Sequence, residues 1–512
     1  MTTNASPRIA SESPSVESRS DGSSHADDFE TVIGLEVHSQ LKTESKMFCR
    51  CPANYADAPP NTHVCPICQG MPGMLPVINE TAVEWTIRAA LALHMEIPEV
   101  SKFDRKNYHY PDLMKGYQIS QFEEPLSQNG YLDVIVEGES RRIGVTRIHL
   151  EEDTARLMHR EDEAGEGYSL LDLNRCGVPL MECVSEPDMR SPEEARAYLV
   201  ALRQIYRYLD VSTADMEKGS FRCDANVSLR PWGQEAFGTK VEIKNMNSFR
   251  AVYKALQYEQ RRQAEAIRNG EPIRQETRGW VDDREITVSQ RSKEESDDYR
   301  YFPDPDLPPL RTGRERVEAI RAALPELPFA RFQRFQSQYG LGEFEANLLT
   351  EDRAKADYYE AAVEAVAEAR SEKTQKAVAN WVVGEMARLM HEAGHDLGAV
   401  KIRPAQIAAL VTLIAGGTIS NTLAKDVFES MYASGADPKA IVEASGQTQI
   451  SDSDELAGVV QGVIDAQPAA VADYRAGKQE ALKFLMGQVM RATRGRANPT
   501  VVTEILRRSL DA

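Results

Sequence analysis

The sequence predicts an α+β protein, built as a mixed-sheet cradle domain followed by a helical domain and a small helical tail domain. Short stretches of alternating apolar and polar residues, the period of a half-buried strand, dominate the chain as far as Pro309. Beyond a Pro-rich stretch at 302–310 the composition turns to Ala, Glu and Leu at helical spacing. A length of 512 residues accommodates about three domains of ~150 residues.

Taken in order, residues 1–28 are Ser-rich and carry Glu12, Glu17, Asp21, Asp27 and Asp28 where a leader would have a basic and then an apolar region. They read as a disordered tail. Residues 29–312 form the predicted cradle. Strands are expected at 31–40, 132–136, 143–150, 220–229 and 239–244, interrupted by helices at 80–93, 192–208 and 248–268, the last closed by Asn269-Gly270. Helical segments from Glu315 to about Ser434 define a second domain, 313–436. The third, 437–512, has short helices leading to Gly477-Lys478 and a final helix pair around Arg494-Gly495-Arg496-Ala497-Asn498-Pro499. No fixed-period repeat is present.

A net charge of −19 excludes a protein that coats nucleic acid over its whole surface, so any RNA contact must be local. No apolar run reaches the ~18 residues of a membrane span, and a cytoplasmic protein without a membrane partner is expected. Four of the seven cysteines cluster as Cys49-x-Cys51 and Cys65-x2-Cys68, with Pro66 in the second turn, and two such close pairs suit one tetrahedral, structural zinc. Cys176, Cys183 and Cys223 lack this spacing and read as small core residues.

Strand parity selects the polar candidates. In Val32-Ile33-Gly34-Leu35-Glu36-Val37-His38 the side chains of Glu36 and His38 share one face, about 7 Å apart along the strand. Asp224, Asn226 and Ser228 alternate with Cys223, Ala225 and Val227, and Lys240, Glu242 and Lys244 alternate with Val241 and Ile243. With Glu151, Glu152 and Asp153 these make an oxygen-rich set suited to a hard divalent cation. An exposed polar sheet face is the usual explanation for any one such strand; the set says more than its members. No Walker A and no Rossmann glycine pattern occurs, so a nucleotide site on a standard Gly-rich loop is excluded.

His391-Glu392-Ala393-Gly394-His395 fits H-E-x-x-H, which on a continuous helix would make a zinc hydrolase. Gly394 and Gly398 place a helix end inside it, and Lys401 stands where the extended motif needs a third histidine. Near the end of the chain Lys478, Lys483, Arg491, Arg494, Arg496, Arg507 and Arg508 form a basic patch suited to an RNA backbone, or simply a solvated helix face.

The strand motif of Glu36 and His38, together with Lys102-Phe103-Asp104-Arg105-Lys106-Asn107-Tyr108, Gly116-Tyr117-Gln118-Ile119-Ser120-Gln121, His149-Leu150-Glu151-Glu152-Asp153, Arg222-Cys223-Asp224-Ala225-Asn226 and Asp298-Tyr299-Arg300-Tyr301-Phe302-Pro303, resembles the GatB family, which supplies one component of Asp/Glu-tRNA amidotransferases. The likeness covers nearly everything after the first thirty residues. The related GatE proteins carry an insertion domain for which the short path after Pro303 leaves no room.

The resemblance implies phosphorylation by ATP of the Asp or Glu side chain esterified to tRNA, then amidation with ammonia from a partner. It implies a heterotrimer of the GatCAB kind, with an amidase partner (GatA) and a small partner (GatC), a misacylated tRNA substrate, and Mg²⁺ alongside structural zinc. Glu36, His38, Glu151, Glu152, Glu182, Asp224, Asn226 and Glu242 are then the residues positioning metal and phosphate. His38, Glu152 and Glu182 are the expected magnesium ligands, with the choice between Glu151 and Glu152 open. Lys106 and Lys115 fall on the family's ammonia route, and Lys478, Lys483, Arg491, Arg494 and Arg496 on its tRNA-binding tail. Nothing resembles an amidase serine signature. A zinc protease and a non-catalytic RNA-binding protein are the competing readings.

Overall fold

The computed structural model describes residues 28–162, 164–292, 299–367, 370–445, 453–478, 480–493, 497 and 499–511. The expected Ser-rich tail, apart from Asp28, and Arg494 and Arg496 of the basic patch therefore lie outside the described residues.

The first part runs β1 (Phe29–Gln40), α1 (Glu80–Ala92), β2 (Val100–Ser101), β3 (Asp104–Asn107), β4 (Tyr117–Ser120), β5 (Ser127–Val136), β6 (Glu139–Glu152), β7 (Arg156–Glu161) and β8 (Gly167–Asp172). It continues through β9 (Pro179–Ser185), α2 (Pro192–Tyr208), β10 (Phe221–Pro231), β11 (Val241–Met246), α3 (Phe249–Arg268), β12 (Glu276–Val281), β13 (Ile286–Ser292), β14 (Phe302–Pro303) and β15 (Leu310–Arg311). Eight of these strands form one sheet in the order β13-β12-β11-β10-β1-β9-β6-β5. All its neighbours are antiparallel except β11 and β12, the pair that a helix, α3, connects across the sheet. The α+β class and the mixed sheet agree with expectation.

On β1, Ile33, Leu35 and Val37 are almost fully buried and face the helices, while Glu36 and His38 are half-buried on the opposite face. Each buried apolar side chain contributes roughly 1.5–3 kcal/mol. Helix α2 starts where Ser191 caps the Glu194 amide and Pro192 takes the first turn, and buries Ala195, Tyr198, Leu199, Leu202, Ile205 and Tyr206. Helix α3 is capped by Ser248 and lies against α2 and β10. One face of the sheet is thus sealed and the other left open.

The rest is helical: α4 (Arg314–Ala322), α5 (Pro328–Tyr339), α6 (Glu343–Thr350), α7 (Arg353–Ala365), α8 (Glu372–Asn380), α9 (Ala387–Ala393), α10 (Pro404–Ala415), α11 (Asn421–Ser434) and α12 (Pro438–Ser445), then α13 (Ser453–Ala466), α14 (Pro468–Arg475), α15 (Glu480–Ala492) and α16 (Pro499–Asp511). Among the described residues three hydrophobic cores result. Val317 and Ile320 of α4 belong to the first core and Val442 of α12 to the second, so the cores change hands later along the chain than the composition boundaries at 312 and 436. Among the described residues no helix is long and apolar enough to cross a membrane.

Candidate active site

The register of the sheet assembles the site. His38 of β1 lies opposite Arg222 of β10 on one side and opposite Glu182 of β9 on the other, and Glu182 in turn lies opposite His149 of β6. Glu36 pairs with Asp224, and Asn226 with Glu242. All of these point to the open face, where they line a polar cleft of about 920 Å³ except for Asn226, which borders the adjoining hollow. Opposite the sheet stand Lys106, Tyr108, Tyr299 and Tyr301, held together where the Asn107 amide donates to the Tyr299 carbonyl at 2.9 Å and the Tyr301 ring stacks on Phe122 at 4.2 Å.

At the centre, His38 Nε2 stands 3.2 Å from Glu182 Oε2 and 3.6 Å from Glu151 Oε1, and one donor atom from each of the three residues lies within 4.8 Å of the others. An octahedral cation with bonds of about 2.1 Å has adjacent donors about 3 Å apart, and the 3.2 and 3.6 Å separations are on the scale that such an ion spans. His149 Nε2 sits 3.3 Å from the same Glu182 oxygen. Burial pushes the His38 imidazole down, but Glu182 and Glu151 overcome it and hold its pKa at about 9. Burial likewise raises the Glu182 carboxyl, and His149 and His38 pull it well below the usual range. The cluster therefore demands positive charge, which a proton or a metal ion supplies.

The other expected carboxylates are already engaged. Lys244 pairs with both Asp224 and Glu242, Thr277 donates to Glu242 at 2.8 Å, and Asn226 Nδ2 donates to Glu36 at 2.9 Å. Burial works against the Lys106 ammonium, but Glu151, Tyr301 and Glu182 keep it charged.

Glu152 stands apart from the magnesium set in which it was expected. Consecutive strand residues face opposite ways, so with Glu151 in the cleft Glu152 turns to the far side, where Lys115 pairs with it and the Ile119 amide donates to it at 3.1 Å. Lys115 and Glu152 line a separate hollow beside Cys49 and Cys68, whereas Lys106 lines the cleft. The two lysines expected on one route thus lie on opposite sides of the carboxylate pair.

Cys49, Cys51, Cys65 and Cys68 converge, with their sulfurs within 4.8 Å of one another. A zinc with bonds of about 2.3 Å asks for sulfur separations of about 3.8 Å. Hydrogen bonding by the Cys49 thiol and the Cys65 amide, with the nearby Lys46 ammonium, outweighs burial and holds the Cys68 thiol below its usual range, which favours the thiolate form that a zinc ligand needs. Bound zinc would tie the two turns together. Cys176, Cys183 and Cys223 are buried, as expected of core residues.

H-E-x-x-H makes no metal site. Helix α9 ends at Gly394 in the left-handed region (φ 64°), His395 lies beyond it against the Tyr432 hydroxyl at 3.1 Å, and Glu392 is paired with Arg388. In the tail Lys483 and Arg491 are exposed on α15, about 12 Å apart along the axis, while Lys478 is paired with Asp473 at 2.8 Å.

Sequence reasoning missed Arg147, and it missed the parts played by His149, Arg222 and Asp153, which it named only within motifs or as one of an oxygen-rich set. Arg147 and Arg222 line the cleft, each with a buried Nε that has no hydrogen-bond partner among the described residues. Asp153, buried, receives Arg222 at 2.7 Å and Gln40 at 2.6 Å and so fixes Arg222 in place. Arg147, His149 and Glu151 alternate along one strand, and the parity rule applied to Glu36 would have found them.

A family model described as the GatB/GatE catalytic domain matches residues 31–318, and one described as a GatB domain matches residues 357–510. The chain is 55% identical over 487 residues to the B subunit of the aspartyl/glutamyl-tRNA(Asn/Gln) amidotransferase of Dehalococcoides mccartyi, covering 94% of this chain and 99% of that one. It is 56% identical over 483 residues to the protein of the same name from Thermomicrobium roseum, again covering 94% and 99%. The like-named protein of Carboxydothermus hydrogenoformans is 55% identical over 483 residues, with 94% and 99% covered.

Proposed function

This chain belongs to the GatB/GatE family, and on that premise we propose that it is the component of a glutamine-dependent tRNA amidotransferase that phosphorylates with ATP and then amidates Asp-tRNA(Asn) and/or Glu-tRNA(Gln). The products are Asn-tRNA(Asn) and Gln-tRNA(Gln) for protein synthesis in the cytoplasm.

A carboxylate is a poor electrophile at neutral pH, so its oxygen must first be made a leaving group. Transfer of the γ-phosphoryl group from ATP to the side-chain carboxylate gives an acyl phosphate and ADP. Ammonia then attacks the acyl carbon, and phosphate departs. Phosphoryl transfer is catalysed mainly by positioning and charge neutralisation. His38, Glu151 and Glu182 would hold Mg²⁺, which supplies charge neutralisation at the phosphates. Arg147, Arg222 and Lys106 provide fixed positive charge around them, and Glu36, Asn226, Asp224 and Glu242 hold one another and Lys244 in register. The observation that carries the reading is the convergence of three metal-competent donors at the centre of a polar cleft of about 920 Å³ lined by further cationic and carboxylate side chains.

Ammonia comes from the amidase partner in a heterotrimer completed by a third, small protein. By analogy with the family, Lys106 and Lys115 are assigned to the ammonia route, Lys115 with Glu152 lining the hollow beside the cysteine cluster and Lys106 lining the cleft. The exposed Lys483 and Arg491, with Arg494 and Arg496, are proposed to meet the tRNA backbone, and the cysteine cluster to hold structural zinc. The test combines this chain with the amidase and the small partner, Asp-tRNA or Glu-tRNA, glutamine, ATP and Mg²⁺. Amidated aminoacyl-tRNA is expected; its absence with both tRNAs would end this reading.

A further inference from the structure

The Lys115–Glu152 pair does not stand free beside the cysteine cluster; both of its members are packed on it. Phe48, Cys49, Cys68, Gly70, Lys115 and Glu152 line one hollow of about 180 Å³. The lysine side chain is 11% exposed and the carboxylate 5%, and a buried ion pair holds only while its surroundings keep both partners in register.

Three contacts join the pair to the two cysteine turns. Phe48, next to Cys49 in the first turn, is buried, and its ring centre lies 5.9 Å from the Lys115 ammonium, which the Tyr117 ring flanks at 5.5 Å. At such distances the negative face of a ring attracts a cation. Gly70 closes the second turn, its amide donating to the Ile67 carbonyl at 3.0 Å and its backbone in the left-handed region at φ 69°. A Cβ there would run into the Lys115 side chain and stand 3.2 Å from the Lys115 Cα, so only glycine lets the turn lie this close to the lysine. Gly177 makes the third contact, between Cys68 and Glu152: a Cβ on it would stand 3.5 Å from the Cys68 Cβ and 3.8 Å from Glu152 Oε2.

We infer that the two cysteine turns position the Lys115–Glu152 pair, so that zinc occupancy governs how well ammonia from the partner reaches the cleft, an inference that rests on the ammonia-route reading above. The four sulfurs converge from both turns, and zinc bound among them fixes one turn relative to the other. Phe48 then holds Lys115 from the first turn and Gly70 from the second, which keeps the ammonium on Glu152. Without the metal the turns are free to separate, and the lysine loses both supports. Phe48 and Gly70 are positioning residues; neither touches the reacting groups.

The reconstituted heterotrimer is assayed with glutamine and, separately, with ammonium chloride, which enters the cleft from solvent and needs no route. Phe48→Leu, which keeps all four cysteines, is expected to lower the glutamine-supported rate relative to the ammonium-supported rate about threefold, the scale of one lost cation–π contact. Gly70→Ala, which pushes on the lysine from the other turn and takes nothing from the core, should act in the same direction, and zinc-free Cys68→Ser at least as strongly. A readout independent of turnover is acetylation of Lys115 by acetic anhydride, followed by peptide mass spectrometry. It should be slow in wild type and faster in all three variants, while Lys106, on the other side of the carboxylate pair, is labelled at an unchanged rate. An unchanged rate ratio in folded Phe48→Leu and Gly70→Ala, or Lys115 labelling that rises only together with that of Lys106, overturns the inference. Lys115→Ala tests the underlying reading: a wild-type rate ratio there removes the pair from the ammonia route, whereas a lowered ratio there with Phe48→Leu and Gly70→Ala unaffected removes only the role of the cysteine turns.

Discussion

Replacing Glu182 by Gln probes the centre of the site with least disturbance elsewhere. The side chain is 10% exposed and bridges His38 at 3.2 Å and His149 at 3.3 Å, and Gln keeps its shape and an oxygen acceptor for His149. What it removes is charge. Glu182 and Glu151 lift the His38 pKa from 6.5 to about 9 against the opposing effect of burial. At ~1.4 kcal/mol per unit that is about 3 kcal/mol of net preference for one positive charge, of which Glu182, acting through both its charge and a hydrogen bond, supplies at least half, on the order of 1.5 kcal/mol. A divalent ion feels about twice this, so Glu182→Gln is expected to cost about 3 kcal/mol of Mg²⁺ binding, roughly a hundredfold in dissociation constant. The assay is Mg²⁺ dependence of ATP-driven amidation, with Mn²⁺ binding followed by electron paramagnetic resonance as a readout independent of turnover. A folded variant whose Mg²⁺ half-saturation and Mn²⁺ affinity match those of wild type would refute the assignment of Glu182 as a ligand.

Other perturbations separate structure from chemistry. Cys68→Ser should abolish zinc measured by mass spectrometry and lower the thermal midpoint, while KM for ATP in the surviving folded enzyme stays near wild type; zinc content of about one per chain after the substitution would contradict the four-cysteine site. Burial favours the neutral form of Glu360, but Arg334, Tyr339 and Arg331 outweigh it and depress the carboxyl from 4.5 to about 2. A depressed folded pKa stabilises above the unfolded value, so about 3 kcal/mol is fully present above about pH 4.5 and is lost as pH falls from there to about 2. Glu360→Gln should therefore be less stable than wild type at pH 7 and converge with it only below about pH 2, where both states are protonated; a gap that persists there would show that the pairing is not its source. Glu392→Gln, at an exposed residue paired among the described residues with Arg388, should change amidation and stability little, within about 0.5 kcal/mol. Loss of activity there would revive a role for the H-E-x-x-H segment.

Much of the site was written locally. Alternation within 31–40 put Glu36 and His38 on one face, the paired spacings of Cys49, Cys51, Cys65 and Cys68 announced a metal knuckle, and Gly394 marked the helix end that breaks H-E-x-x-H. These are properties of a strand's period, a turn's spacing and a left-handed cap, each decided within a few residues. The helical blocks were equally legible, because helical periodicity is repeated along the chain.

Strand order was not. Strand β9, Pro179–Ser185, is buried on both faces along most of its length and reads as an apolar run without alternation, so its place in the sheet was invisible. Its insertion between β1 and β6 puts Glu182 between two histidines and brings Glu151 to His38. Strand parity requires Glu151 and Glu152 to face opposite ways once both lie on β6, but which of them shares a face with His38 depended on which strand pairs with which, and in what register. Pairing across a sheet joins residues far apart in sequence through backbone hydrogen bonds common to every residue, so side-chain identity in one strand carries little record of its neighbour. The sequence by itself determined the chemistry available to each strand face and the family, while the tertiary structure alone decided which of those faces meet.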